Sequence, residues 1–253
     1  MGSLPLLGAG PSAPGAAAPL DYPARWGLVA HWAHEEASGD HLDSHTGGYT
    51  LTNTGAVPGT TAKVGNGAAF TAAATQRLAI ADNAALSMGD VDMWLATWVS
   101  LSSKGVDRHI VSKWNSNPNL EYLLYYNNAT DRFAFGVSPD GAAVVTASAS
   151  TFGSPSLDTS YFLMAYYDTV ANQSGISVNG GAFNTAAPAT GPSNGASPFT
   201  IGSRSNLTAT NTWAGWIDET SVGKSPALGI AALATEIRDH LHASGAGRAW
   251  AAW

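Results

Sequence analysis

Three kinds of side chain in this sequence have the chemistry to act on or hold another molecule: carboxylates, imidazoles, and aromatic rings set among amides. Retaining hydrolysis of a glycosidic bond asks for two carboxyl groups about 5–5.5 Å apart. On one strand that means positions i and i+2 or i+4, which share a face. The acidic pair inside a strand-like run is Asp218-Glu219, whose members point to opposite faces. Trp216 stands two before Asp218, and Ser221 and Val222 fill the later positions. Glu121 and Glu236 are isolated. Carboxylate-pair hydrolysis is therefore not expected. Ser, His and Asp all occur, so composition leaves a nucleophilic triad open, but no Gly-x-Ser-x-Gly elbow is read to supply its nucleophile.

His31, His34, His41 and His45 are close enough in sequence to suggest a transition-metal site. If residues 28–34 form one strand, however, His31 and His34 face opposite ways, and surface or turn histidines are expected. Sugars stack their C–H faces on exposed aromatic rings, while amides and charged groups bond their hydroxyls. Trp114-Asn115-Ser116-Asn117 and Tyr125-Tyr126-Asn127-Asn128 offer that mixture. Trp114, Tyr125, Tyr126 and Asn127 are thus candidate carbohydrate contacts, with Trp94, on the other face of a central strand, as a fifth. The alternative is packing. Trp32, Trp98, Trp216, Phe133, Phe135 and Phe162 are expected in the core, and the same reading is open for Trp114 and Tyr125.

The elements that must position these groups are mostly short strands. Apolar or alternating runs occur at 28–32, 49–52, 68–70, 77–81, 93–101, 109–114, 121–127, 132–138, 144–148, 161–167, 175–179, 198–202 and 215–222. Turn chemistry separates them, as at Asn66-Gly67, Asp140-Gly141 and Asn179-Gly180-Gly181. Met93–Leu101 is apolar on both faces and is expected to be a central strand. One segment has helical periodicity: Ile230, Leu233, Ile237 and Leu241 predict a helix over 230–242. Regular strands with such punctuation predict an all-β sandwich or jelly roll.

Composition narrows the function classes. The chain has 253 residues, 18 carboxylates against 11 Lys and Arg, net charge −7 and no cysteine. Nucleic-acid backbone binding and a polybasic membrane patch both need a basic face, so neither is expected. Disulfides, thiolate metal sites and a cysteine nucleophile are excluded. No apolar run approaches the roughly 18 residues of a membrane span. Residues 1–25 form a Gly/Ala/Pro tract with Leu4, Leu6 and Leu7 near its start. The first cation is Arg25 and Pro5 interrupts the apolar tip, so a secretory signal is not expected. The tract reads as an extended arm that docks on a neighbouring subunit, or as a disordered tail. Residues 26–253 form the folded domain.

Several stretches carry a family resemblance in order. Leu28-Val29-Ala30-His31-Trp32 leads through Glu35-Glu36 to Asp43-Ser44; Gly65-Asn66-Gly67-Ala68-Ala69-Phe70, Leu78-Ala79-Ile80-Ala81-Asp82-Asn83 and the Trp98 strand follow. Phe199-Thr200-Ile201-Gly202, Gly215-Trp216-Ile217-Asp218-Glu219 and Thr235-Glu236-Ile237 close the series. Over about residues 26–245 the chain resembles the laminin-G-like, concanavalin A-like lectin/glucanase jelly roll, in the pentraxin-related form common in bacterial and phage proteins. The resemblance implies two antiparallel sheets of about six or seven strands each, with the short C-terminal helix packed on one side. It also implies a structural calcium near the first strand and the Ile217-Asp218-Glu219 strand. Asp43 and Asp218 match the acidic positions, with Glu36 as a third. The alternative is that Asp43 caps a turn and Asp218 bonds a loop backbone. Trp94, where the family has a small polar residue, and His34-Glu35-Glu36 depart from the pattern.

The resemblance, the carboxylate spacing and the arm together lead to one expectation. The chain is a non-catalytic virion surface protein, a phage capsid decoration or tail-associated subunit, bound through residues 1–25 to other copies of itself or to other virion proteins. The alternative is a secreted or cell-surface carbohydrate-binding module, extracellular in location. A glycan hydrolase is the third reading.

Overall fold

In the computed structural model, which describes residues 21–72, 75–205 and 211–253, the strands pair into two antiparallel sheets. The front sheet runs β13 (Asn184–Ala186), β12 (Gln173–Val178), β11 (Ser160–Asp168), β6 (Met93–Leu101), β15 (Gly215–Lys224), β4 (Asn66–Phe70) and β3 (Gly59–Thr61), with β1 (Leu28–Trp32) also paired to β15. The back sheet runs β10 (Val145–Ser148), β9 (Arg132–Val137), β8 (Leu120–Asn127), β7 (Arg108–Trp114), β14 (Phe199–Ile201), β5 (Arg77–Ile80) and β2 (Thr52–Thr54). This is the jelly-roll sandwich expected from the strand pattern. The seven strands behind match the sheet size the resemblance implies, and the eight in front exceed it by one.

Period-two alternation divides each strand between layers. On β8, Tyr122, Leu124 and Tyr126 enter the core between the sheets, while Leu123 and Tyr125 point outward into a separate cluster with Trp114 and Ala134. On β6, Met93, Leu95, Val99 and Leu101 fill the same core. Its other face, Trp94, Ala96 and Trp98, belongs to an outer apolar layer beneath helix α2 (Ile230–His242). All nine β6 residues are buried, as their double-sided apolarity predicts.

Helix α2 has the bounds read from its periodicity, and Ile230, Leu233, Ile237 and Leu241 all face the front sheet. Its N-cap, Gly229, has no side chain to bond the first turn. Asp92 does so from a distance, accepting from Ile230 N at 2.9 Å. A short helix α1 (Tyr22–Arg25), with Asp21 Oδ1 accepting from Ala24 N, packs beside α2. Arg25 donates to both carboxylate oxygens of Glu236 at 3.0 and 2.8 Å, and Trp26 Nε1 donates to Oε1. Residues 21–25, read as part of the arm, therefore pack on the domain. The rest of the arm, residues 1–20, lies outside the described residues.

Three local expectations need correction. The strand read at 49–52 forms instead at Thr52–Thr54. Strands β3 and β13 were not anticipated. Each has three residues, too few to show a period, and each sits at a sheet edge.

Candidate functional site

Strand β15 is the organising element of the polar chemistry. Its first residues pair with β4 and its last with β1, and between Asp218 and Ser221 its register to β6 shifts through a bulge. Glu219, at φ 49°, takes the left-handed conformation that non-glycine residues seldom adopt. Such bulges re-aim side chains and recur beside functional sites. Here the bulge sends four consecutive polar side chains to different partners.

Asp218 Oδ2 accepts from Lys63 N and Val64 N, at 3.0 and 2.8 Å. Burial pushes its carboxyl up to about 8. Thr220 Oγ1 meets Thr97 Oγ1 at 3.0 Å and His34 Nε2 at 3.1 Å, and His34 Nδ1 meets His41 Nδ1 at 2.9 Å. On the other side of the strand, Ser221 Oγ lies 2.9 Å from His31 Nδ1, while His31 Nε2 lies 2.9 Å from Glu219 Oε2. Burial drives His31 down to about 3; burial first, then the Glu35 charge, pushes Glu219 up to about 8. Burial thus favours the neutral form of both groups, so the 2.9 Å contact is a meeting of a neutral imidazole and a carboxyl held toward its protonated form rather than a charged pair.

This Ser–His–Glu chain was not read from the sequence. His31 and Ser221 lie 190 residues apart and meet only because β1 pairs with β15. Trp250 stacks on His31 (5.0 Å, 18°) and Trp253 tilts against it at 4.9 Å. The cavity beside Glu219 and Ser221 holds about 10 Å³, room for about one water. The glycine–serine–glycine spacing of a nucleophile turn does occur, at Gly191-Pro192-Ser193-Asn194-Gly195. That serine sits in the β13–β14 loop, its hydroxyl donating to Leu120 O at 2.6 Å.

The histidines expected at surfaces or turns include three that are fully buried, His31, His34 and His41. The calcium ligand set does not assemble. Asp43 Oδ1 accepts from His31 N and His45 N and Oδ2 from Tyr49 N, so it organises a turn. Glu36 Oε1 accepts from Leu42 N, and Oε2 lies 3.3 Å from His41 Nδ1. Asp218 binds the 63–64 backbone. Among the described residues no group of three or more His, Asp or Glu is placed to hold a metal ion. These carboxylates do not form one calcium ligand set, because each is bonded to a different stretch of backbone.

The expected carbohydrate contacts are also redistributed. Trp94 is fully buried under the α2 layer, its indole donating to Trp26 O at 2.8 Å, and only a glycine, Gly223, leaves space for its ring on β15. Tyr126 lies in the core with its hydroxyl donating to Asp131. The structure puts Trp114 and Tyr125 in one small cluster on the outer face of the back sheet, with Asn127 next to Tyr125 at the far end of β8 from Trp114. The two rings keep only 7% and 8% of their exposure, so they are not open stacking platforms. Asn127 Nδ2 donates to Tyr125 Oη.

One tryptophan that lines an open cleft was passed over by the sequence reading. Trp250, half-buried in the segment after α2, closes one side of a cleft of about 490 Å³. Asp21, Pro23, His45 and Thr46 line the remainder. Its signal was faint: Trp250 and Trp253 end an Ala/Gly-rich tail with no period to place them.

Similarity to known proteins agrees with this architecture. No curated protein matches the sequence. Domain 4 of the extracellular GH43 arabinanase AbnA from Geobacillus stearothermophilus, solved with arabinotriose, is similar in structure (TM-score 0.55, 15% identity, 78% of this chain and 92% of that one). So are the binding domain of Paraclostridial Mosquitocidal Protein 1 (0.63, 9%, 79% and 49%) and that of Botulinum Neurotoxin DC in complex with SialylT (0.55, 11%, 78% and 48%). The match thus spans about half of each toxin chain. A family model for the concanavalin A-like lectin/glucanases superfamily matches residues 72–226, more than half of the sequence. The two sheets, their strand order and this match together make the chain a member of that superfamily.

Proposed function

We propose that this domain is a carbohydrate-binding module and that the Trp250 cleft is its glycan site. The observation that carries the reading is the cleft itself. It has the volume of a small-molecule site, one half-buried tryptophan as an apolar wall, and a carboxylate, an imidazole and a hydroxyl from Asp21, His45 and Thr46 around it. Trp250 is braced from behind by His31 and at its edge by His45 (5.8 Å, 87°). Neighbours of the same fold solved with arabinotriose and SialylT are consistent with this use of the fold.

The reading is of binding without turnover. Asp218 serves the loop backbone, Glu219 faces His31, and the cavity beside Glu219 is too small for a sugar. The exterior, particle-borne location is part of the same proposal and rests on the composition of residues 1–25. Deletion of residues 1–20, sparing the packed residues 21–25, is expected to release the domain from virus particles with which it otherwise copurifies.

The test of the glycan site is a glycan array followed by calorimetry on the whole chain. Trp250→Ala is expected to weaken the best glycan at least tenfold. Phe152→Ala, at an exposed ring lining a different cleft, is expected to leave it unchanged. No bound glycan, or equal binding by Trp250→Ala, would refute the site. Turnover of a β-glucan or arabinan, lost in Glu219→Gln, would refute the non-catalytic reading.

A further inference from the structure

Around β5, β14 and β7 of the back sheet, four buried side-chain atoms without hydrogen-bond partners come from Arg77, His109, Ser203 and Arg204, and all of them can donate. Leu78, Ile201 and Val111 align across β5, β14 and β7. One step along stand Arg77 on β5, then Gly202, whose N–H donates to Ile110 O. The β7–β8 register shift between His109 and Val111 sets His109 beside Tyr125, ring centroids 6.2 Å apart. Neighbouring strands lie about 4.8 Å apart, so the Arg77 and His109 backbones are roughly 10 Å apart, with residues 202–204 between them.

Arg77 Nε, His109 Nδ1, Ser203 Oγ and Arg204 Nε are all buried without a hydrogen-bond partner. Arg77 donates through its Nη1 to Ser205 O. Neither Arg77 nor Arg204 joins any ion pair among the described residues. Residues 206–210, Asn-Leu-Thr-Ala-Thr, contain no acid to supply one. Seven of the eleven Lys and Arg join no ion pair among the described residues; what sets Arg77 and Arg204 apart is that each also buries an Nε without a hydrogen-bond partner close to the other orphaned donors. Guanidinium groups only donate, and buried donors left unmet are rare in folded proteins. What complements such a set is an acceptor with negative charge, and an arginine fork matches a carboxylate or sulfate edge-on.

We propose that this group is a second binding site, taking an oxyanion between Arg77 and Arg204, with His109 and Ser203 completing its hydrogen bonds. The carrier we assign is the carboxylate of an acidic saccharide; this last step rests on the glycan-binding reading, whereas the oxyanion site does not. Burial, with Arg204 nearby, lowers His109 to about 3, so its imidazole is neutral and offers a single N–H. Tyr125 and Asn127, expected as sugar contacts, flank this group.

The test titrates the whole chain with 3′-sialyllactose, lactose and sodium sulfate at low salt. Wild type, Arg204→Ala, Arg77→Ala and Trp250→Ala are compared, each checked for an unchanged melting curve without ligand. Sialyllactose is expected to bind at least tenfold more tightly than lactose. That preference is expected to vanish in Arg204→Ala and Arg77→Ala and to persist in Trp250→Ala. Sulfate binding that both arginine variants abolish, with sialyllactose no better than lactose, supports the oxyanion site and refutes the saccharide as its carrier. Sulfate bound in this arginine-dependent way with no sugar bound at all refutes the glycan reading and leaves the oxyanion site supported. Neither sulfate nor an acidic preference, or binding indifferent to both arginines, overturns the proposal.

Discussion

Replacing Glu219 by Gln tests the account of the β15 bulge directly. The folded carboxyl titrates at about 8 against an ordinary 4.5, because burial and then the Glu35 charge disfavour its ionised form. A group whose folded pKa is raised contributes stability that is complete below its unfolded value and is lost as pH rises through the folded one. Between pH 6 and pH 8 the unfolded chain has already released this proton while the folded chain still holds most of it. One pKa unit is about 1.4 kcal/mol. Two units, less the half-titration near pH 8, make a loss of about 2 kcal/mol over that interval. Glutamine keeps the shape and can donate to His31 Nε2 but cannot ionise. Asp218, raised mainly by burial and in smaller part by the Glu219 charge, is present in both proteins, so the burial part of its contribution cancels. Urea unfolding followed by tryptophan fluorescence at pH 6 and pH 8 reads the difference. Relative to wild type, Glu219→Gln is expected to gain about 2 kcal/mol from pH 6 to pH 8, whatever its stability at pH 6. Parallel pH dependence in the two proteins would refute the protonated, buried Glu219.

Other consequences follow from the same packing. Trp94→Ala empties a fully buried site beneath α2 and is expected to cost about 3–5 kcal/mol in denaturant unfolding, with glycan affinity unchanged. Lys113 is fully buried, with Glu121 at 2.6 Å and Asp82 at 2.7 Å. Glu121→Ala leaves Lys113 only the half-exposed Asp82 as a charged partner, so it is expected to destabilise by about 2 kcal/mol, and Lys113→Met with Glu121→Leu together by less. Because Asp43, Asp218 and Glu36 each bond a different stretch of backbone rather than meeting at one site, calcium and EDTA are expected to leave the melting temperature unchanged. A rise of several degrees with calcium would overturn that assignment.

Where side-chain periodicity alone sets the outcome, the residues were legible in advance. Met93–Leu101 carries apolar residues on both faces, interrupted only by Thr97 and Ser100, and it became a central strand flanked by β11 and β15. Ile230, Leu233, Ile237 and Leu241 repeat at helical spacing, and the helix has those limits and that buried face. The alternation of β8 likewise separates Tyr122 and Tyr126 from Leu123 and Tyr125. Periodicity says which way a side chain points relative to its neighbours. It does not say which layer lies on that side. Trp94 looked free to act as a platform because nothing in its own strand announces that α2 covers it.

The sites depend on partners distant in the chain. His31 meets Ser221 across 190 residues, Asp218 meets the 63–64 backbone across about 155, and Trp250 forms a cleft with Asp21 and His45. Each pairing is made by strand order and by a bulge, neither of which leaves a local signal. The sequence by itself determined the alternation, the turns, the helix and the absence of cysteine, and so the class of fold. Only the tertiary structure decided which polar groups are satisfied within the chain and which are left for a ligand, because hydrogen-bond satisfaction belongs to the packed layers rather than to any one segment.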